Sequence, residues 1–271
     1  GGAPVAEENV KALVARLGQV PDVHVAQWGQ GVGAAGSCWL EDDGRGLWPV
    51  RILRSPEHDG DEPQGSLVNP ATSEDLERFE KLQEEAEAHR TRAQAAAREL
   101  GLSMRFIAAE LELRDRYLRL LFTAPSRVDF RDLVRRLGQE LKLKIELRQV
   151  GPRDEARVLG GLGPCGLGVC CRSFLRQLRP IPLEMAFDQQ LHISPGRMTG
   201  VCGRLMCCLS YEHQQYVEAL AKVPQAGSRI EWRGRKGKVT GVNIFHESLS
   251  VEWEDGDREE LPWHQLTDEG P

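Results

Sequence analysis

The chain of 271 residues lacks any apolar run approaching the ~20 residues that a membrane-spanning helix needs. Its N-terminal stretch, GGAPVAEENVKALVARLGQV, lacks the apolar centre of a secretion signal. The chain also lacks an overall positive charge, because 35 basic and 41 acidic residues leave a formal net charge of −6. A protein that coats nucleic acid over its whole surface is therefore excluded. We expect a cytoplasmic protein without membrane insertion.

Recognisable catalytic motifs are missing as well. The sequence contains no phosphate-binding loop, no GxGxxG motif after a strand and no histidine pair with metal-ligand spacing. It has no Cys-x-x-Cys motif, which thioredoxin-like chemistry would favour. An enzymatic interpretation would rest on the thiols alone, so the sequence predicts a protein that is not an enzyme.

The charge is uneven along the chain. Residues 101–210 carry 18 basic and 11 acidic residues, whereas both flanking parts are acidic. This basic centre favours an alternative function, an RNA- or ribosome-associated binding protein with a structural zinc site. A second basic run, Arg233–Lys238, lies in an acidic C-terminal region, where we expect a solvated turn and at most a weak contact with RNA.

Local patterns predict three regions. In residues 1–70 the stretches VHVAQW and LWPVRIL predict a small sheet, and residues 58–70 are expected to be a polar loop. In residues 71–221 a helix is predicted over 72–100, with Thr72 as its N-cap and Asp75 completing the cap. The apolar stripe of this helix is thin, so the helix either protrudes towards a partner or lies across its own sheet.

Residues 103–149 and the C-terminus decide the predicted fold class. Two strand-like runs joined at Arg114–Asp115, a helix capped by Asp129 and the strand LKIELRQV give a β-β-α-β order. This order predicts an α+β fold, with a largely antiparallel sheet and helices on one face. Four short strand-like runs in residues 222–271 predict a small SH3-like β-barrel.

The most specific feature is a duplicated cysteine segment. GLGPCGLGVCC and MTGVCGRLMCC both follow the pattern G-x-C-G-x-x-x-C-C, and corresponding cysteines are 37 residues apart. Clustered thiols in a reducing compartment more often bind metal than form disulfides. The candidate metal and cofactor ligands are Cys165, Cys170, Cys171, Cys202, Cys207 and Cys208.

The spacing leaves the identity of the metal open. A C-x4-C spacing suits structural zinc, and it also matches part of the plant-type ferredoxin pattern. Side chains of adjacent residues diverge, so we expect one member of each Cys-Cys pair to bind the metal while the other packs in the core or faces a second centre. His213 is a weaker candidate ligand, and Cys38 is interpreted as ordinary packing.

Around these cysteines the sequence resembles the RicT (YaaT) family of bacterial regulatory proteins, including its polymerase-suppressor-protein-like C-terminal domain. The resemblance is carried by IELRQVGPRDEARVLGGLGPCGLGVCCRSFL and SPGRMTGVCGRLMCCLSYE, by VDFRDLVRRL upstream and by GKVTGVNIF downstream. It covers roughly residues 70–266.

The resemblance implies a non-enzymatic subunit of a cytosolic complex with the small helical proteins RicA and RicF. That complex carries [4Fe-4S] clusters, acts as a specificity factor for the endoribonuclease RNase Y in mRNA processing, and is linked to the phosphorelay behind sporulation, competence and biofilm formation. The cluster cysteines of the family correspond to the six cysteines of the repeat, and partner subunits are expected to supply some of the ligands.

Overall fold

A computed structural model describes residues 10–19, 23–28, 34–54, 62–175, 179–191 and 195–267 of the chain. The chain divides into two compact units, one of residues 1–177 with 201–204 and the other of residues 178–200 with 205–271. The N-terminal β region and the α+β segment, which the sequence analysis separates at residue 70, thus lie in one unit. Over the described residues, each helix is too short or too polar to cross a bilayer.

The first unit has a mixed α+β structure. Its strands are β1 (Val10–Arg16), β2 (Val23–Trp28), β3 (Cys38–Asp42), β4 (Leu47–Arg54), β5 (Gly65–Pro70), β6 (Arg105–Leu111), β7 (Tyr117–Thr123) and β8 (Lys144–Gln149). Its helices are α1 (Ser73–Glu99), α2 (Arg131–Leu141), α3 (Pro152–Leu159) and α4 (Cys170–Ser173).

The N-terminal strands form a closed barrel in the order β1-β2-β5-β3-β4. The predicted strands β2 and β4 are confirmed. The prediction of a polar loop over 58–70 is wrong for Gly65–Pro70, because these residues form β5. The first part of the predicted loop, residues 58–61, lies outside the described residues. Leu67 of β5 is buried, and the strand lies between β2, to which it is parallel, and β3.

Helix α1 has the predicted N-terminus. The Thr72 side chain accepts a hydrogen bond from the backbone N–H of Asp75, and the Asp75 carboxylate accepts one from the backbone N–H of Thr72. The apolar stripe, which includes Phe79 and Leu82, is buried in the same core as β6. Gln94 hydrogen-bonds the backbone of this strand at its edge. The helix therefore lies across its own sheet and does not protrude.

The second sheet of this unit has three strands in the order β6-β7-β8. Strands β6 and β7 form the predicted antiparallel hairpin, but β7 and β8 are parallel. The expectation of a largely antiparallel sheet is therefore wrong at β8, because α2 carries the chain back to the end of the sheet where β7 begins. Helix α2 begins at Arg131 with Phe130 as its N-cap, not at the predicted Asp129.

Helices cover both faces of this sheet, which corrects the prediction of helices on one face. Leu118, Leu120 and Phe122 of β7 point into the core formed with α1 and α2. Leu121, on the opposite face, packs in a separate cluster with Val158 of α3. The sheet interior is apolar on both faces, so both required a cover.

A buried set of charged side chains begins inside the barrel. Arg16 of β1 lies 3.2 Å from a carboxylate oxygen of Glu41 and 3.2 Å from one of Asp43. His24 Nε2 is 2.6 Å from the other carboxylate oxygen of Glu41. Arg16, His24 and Glu41 are all buried, so their mutual pairing offsets the cost of removing them from water.

The same set continues from the barrel into the sheet. Arg119 of β7 donates a hydrogen bond from Nε to Glu146 of β8 (3.1 Å) and lies 3.6 Å from Asp43. The guanidinium carbons of Arg16 and Arg119 lie 4.8 and 4.9 Å from the centroid of the buried Trp48 ring, within cation–π distance. The barrel and the sheet are therefore joined by paired charges as well as by apolar packing.

The second unit contains helices followed by a sheet. Its helices are α5 (Glu184–Asp188), α6 (Pro195–Met198), α7 (Cys207–Leu220) and α8 (His264–Thr267). Its strands are β9 (Arg229–Trp232), β10 (Arg235–Asn243), β11 (Ser248–Trp253) and β12 (Arg258–Pro262). All four predicted strands are confirmed.

These strands form an antiparallel sheet in the order β12-β11-β10-β9, and among the described residues this sheet does not close into the predicted SH3-like barrel. Among the described residues β9 and β12 remain the outer strands, and the apolar face of the sheet packs against Leu220 and Val223 at the end of α7. The basic run is also not a single loop, because only Arg233 and Gly234 form the turn and β10 begins at Arg235.

Candidate metal centre

The two cysteine segments share one backbone pattern at equivalent positions. An isolated antiparallel bridge joins Leu162 to Gly168 in the first loop, and Thr199 to Leu205 in the second. Each loop has a glycine with positive φ at the equivalent position: Gly166 at +78° and Gly203, 37 residues later, at +70°. This backbone conformation is one that residues with a Cβ rarely adopt, which explains the glycine after the first cysteine of each segment.

A helix begins at the vicinal cysteines in both segments. Helix α4 starts at Cys170 and α7 starts at Cys207, after residues with nearly identical dihedral angles (φ −54°, ψ 126° and φ −59°, ψ 131°). Each segment is thus a tight loop that carries its first cysteine and leads into a helix N-terminus that carries the other two. Vicinal side chains diverge by about 100° on a helix, as the sequence analysis assumed.

The cysteines of the first segment differ in exposure. Cys165 is exposed, Cys170 is half-buried and Cys171 is 4% exposed. The Cys165 sulfur packs against the loop backbone, 3.5 Å from the position that a Cβ on Gly163 would occupy. One member of the Cys170-Cys171 pair therefore faces the core and the other the surface.

In the second segment Cys202, Cys207 and Cys208 are all half-buried. Burial raises the pKa of the Cys208 thiol, and the neighbouring Glu212 and Cys207 act in the same direction. The thiol is therefore predominantly protonated at neutral pH, and binding a metal would release its proton.

The structure does not bring the six sulfurs into one ready site. Across the part of the chain that the structure describes, no three or more His, Cys, Asp or Glu side chains are arranged to hold a metal ion. Cys202 belongs to the same compact unit as Cys165 and the Cys170-Cys171 pair, whereas Cys207 and Cys208 belong to the other unit. None of the seven cysteines, all of which are described, forms a disulfide.

The donor type nevertheless suits a soft metal centre. Thiolates are the usual ligands of iron–sulfur clusters and of structural zinc, and the repeat offers one exposed cysteine, Cys165, beside half-buried ones in both segments. The residues therefore fit such a group in chemistry.

The two remaining candidate residues have other surroundings. His213 Nε2 lies 2.8 Å from Asp188, so this side chain joins α7 to α5 in the structure. Cys38 begins β3 of the barrel and is half-buried, in keeping with a packing residue.

The sequence analysis missed the apolar surface of the loops. Leu162 and Leu167 of the first loop are 68% and 70% exposed, and Val201 of the second is 58% exposed. Phe174, just after α4, is also exposed. Their exposure has a signal in the sequence, because these residues occupy glycine-rich stretches too short to bury them.

Comparison with known proteins identifies relatives of the chain. Residues 65–150 match the family model described as PSP1 C-terminal conserved region, and residues 180–223 match the one described as PSP1-like protein, third domain. The chain is 40% identical over 239 residues to a protein of Bacillus subtilis (strain 168) named stage 0 sporulation protein YaaT, covering 86% of this chain and 87% of that protein. No solved structure matches.

Proposed function

The chain belongs to the RicT (YaaT) family, and we propose that it is a non-catalytic regulatory subunit of a cytoplasmic complex that controls sporulation. The observation that carries this proposal is the 40% identity to a protein named for stage 0 of sporulation, over 86% of this chain. The similarity spans both compact units, so the proposal concerns the whole chain and not one shared domain.

We further propose that the six repeat cysteines contribute to a [4Fe-4S] cluster that is completed by partner proteins. The first segment supplies the exposed thiol of Cys165 and the half-buried thiol of Cys170, and the second segment supplies half-buried thiols. When bound, the cluster would tie the loops to the partner through iron–thiolate bonds. A cluster shared with partner proteins would take only some of its ligands from this chain.

The exposed apolar residues of the loops support docking at the same place. Leu162, Leu167 and Val201 lie within three residues of a cysteine, so a partner that supplies further ligands would also cover them. The outer face of α1 has no large apolar residue among its exposed positions. We therefore place small helical partners of the RicA and RicF kind at the loops. Through this complex the chain would act as a specificity factor for RNase Y in mRNA processing.

The test is the metal content of the assembled complex. The chain should be co-produced with the RicA-like and RicF-like proteins of the same genome, purified without oxygen, and assayed for iron, sulfide and visible absorption. We expect a brown complex, and we expect Cys165→Ser or Cys202→Ser to remove the colour and most of the iron.

Cys38→Ser is the matched control, because this cysteine lies in the barrel away from the repeat, and its complex should keep both iron and colour. Stoichiometric zinc without iron would overturn the cluster and support a structural zinc site in an RNA- or ribosome-associated protein. A stable complex of the same chains with neither metal would overturn both.

A further inference from the structure

Both cysteine segments lie in stretches without a single acidic residue. There is no Asp or Glu between Glu155 and Glu184, and none between Asp188 and Glu212, although the chain has 41 acidic residues in all. These stretches contain six arginines: Arg157, Arg172, Arg176, Arg179, Arg197 and Arg204. In an acidic chain such a distribution creates a local region of positive potential.

In the first unit Arg172 and Arg204 of these stretches, together with Arg148 upstream of them, lie near the two ends of α3. Arg148, at the end of β8, is exposed close to the start of this helix. The guanidinium of Arg204, also exposed, is 3.8 Å from the position that a Cβ on Gly151, the N-cap of α3, would occupy. At the other end, the exposed Arg172 donates a hydrogen bond to the Arg157 carbonyl (3.2 Å). The eight residues of α3 span about 12 Å, so the three exposed arginines lie beside the two ends of one short helix.

Two carboxylates lie on the same helix. Glu155 forms an ion pair with Arg105. Asp154 Oδ2, like the Arg204 guanidinium, lies 3.8 Å from the position that a Cβ on Gly151 would occupy, so it offsets part of the charge of Arg204. An exposed aromatic ring, Phe174, follows Arg172 by two residues and is 57% exposed. Arginines beside an exposed aromatic ring are the combination that single-strand-binding proteins use, because phosphates meet the cations and an unpaired base stacks on the ring.

We propose that this arginine surface, defined by Arg148, Arg172 and Arg204, binds the phosphate backbone of single-stranded nucleic acid, with a base stacked on Phe174. The inference goes beyond the regulatory role proposed above and does not depend on the cluster. It also differs from the earlier expectation of a weak contact at Arg233–Lys238, where Arg235 is paired with Asp255 and Asp257.

The test is the salt dependence of RNA binding by the full-length, reduced, metal-free chain. Fluorescence anisotropy would follow a labelled RNA of about 12 nucleotides, within the range of known site sizes, at about 50 and 200 mM salt. In the variant Arg148→Glu/Arg172→Glu/Arg204→Glu the slope of log affinity against log salt should fall by about 2, for three lost contacts of about 0.7 each. The wild-type affinity should then drop about 20-fold more than that of the variant between the two salt concentrations.

Two further variants separate binding from folding. Arg148→Glu/Arg204→Glu leaves the contact between Arg172 and α3 intact, and it should still weaken binding at least about fivefold at the lower salt. Phe174→Ala should lower affinity about tenfold without changing the salt slope, because stacking releases no counterions.

The matched control reverses three charges in the C-terminal sheet, Arg229→Glu/Lys236→Glu/Lys238→Glu, and should bind RNA like the wild type. Wild-type affinity in the double arginine variant, or loss of binding in the control, would overturn the proposal. A polyglutamate peptide of the same length that bound as tightly as the RNA would overturn it as well, since the surface would then recognise acidic proteins.

Discussion

The buried charges between barrel and sheet and the cysteines of the two loops are both groups of side chains that are costly to leave without partners. Arg16, Glu41, Asp43 and Arg119 meet one another inside a single chain and are shielded from water. Cys165 and the apolar residues beside it face solvent. The first group is therefore satisfied within the chain, whereas the second is the one that the proposed complex would cover.

The largest expected loss of stability comes from a substitution in the buried set of charged side chains. Arg119→Met keeps most of the side-chain volume but leaves Asp43 and Glu146 without this cation in a partly buried site. Breaking a buried ion pair from one side costs about 3–5 kcal/mol of unfolding free energy. Urea unfolding followed by hydrogen exchange of residues 105–123 measures the loss.

Arg114→Met provides the comparison, because Arg114 also pairs with a carboxylate, Asp42 at 2.9 Å, but is 53% exposed. Exposed pairs contribute about 0.2–1 kcal/mol, so the control should lose no more than that. Equal losses in the two variants would show that the buried group is no more important for stability than a surface pair.

The second largest effect is expected from low pH, which should weaken the same buried set of charged side chains. Burial alone would raise the pKa of Asp43, but hydrogen bonds from the backbone of Gly46 and Arg45 and the charges of Arg16 and Arg119 outweigh it and lower the pKa. A carboxylate with a lowered pKa in the folded state stabilises the protein above its unfolded-state pKa of about 4, and this contribution disappears as the pH falls further.

The same holds for Glu146, whose pKa is lowered against the effect of burial by the Tyr117 hydroxyl and by Arg119. Hydrogen-exchange protection of β7 and β8 should therefore decrease below about pH 4, and less steeply in Arg119→Met than in the wild type. A loss of protection that is equally steep in both proteins would assign the acid sensitivity to other carboxylates.

Features that depend on local sequence signals were predictable, whereas features that depend on contacts distant in sequence were not. Helix α1 was predictable because its signals are local: Thr72 and Asp75 three residues apart, and apolar residues at helical spacing. The barrel was not, because β5 pairs with β2 across about 40 residues and only Leu67 of this strand is deeply buried. Arg16 and Glu41 look like surface residues in sequence, and only their meeting in space explains their burial.

For the cysteines, the repeat in the sequence correctly predicts two equivalent loops, and the choice of ligands among the six cysteines stays a prediction. The loop conformation was predictable because it depends on local features, the glycines Gly166 and Gly203. Convergence of the thiolates would depend on contacts distant in sequence, which leave no periodic signal. The C-terminal sheet shows a similar limit, since four strands were correctly predicted while closure into a barrel requires pairing that local patterns do not specify.

The smallest effect distinguishes two cysteines of one segment in the metal-free, reduced chain. Cys171→Ser places a hydroxyl in a position that is 4% exposed, which costs about 1–3 kcal/mol when the surroundings are apolar. Cys165→Ser, at an exposed position, should change the unfolding free energy by less than about 0.5 kcal/mol. Hydrogen exchange of residues 152–175 measures both variants under identical conditions. The expected pattern is that Cys165 matters for the cluster and not for the fold, while Cys171 matters for the fold even without metal. A larger loss of unfolding free energy in Cys165→Ser than in Cys171→Ser would show that the exposed loop itself stabilises the fold. The distinction between the buried, paired charges and the solvent-facing loop residues would then no longer hold.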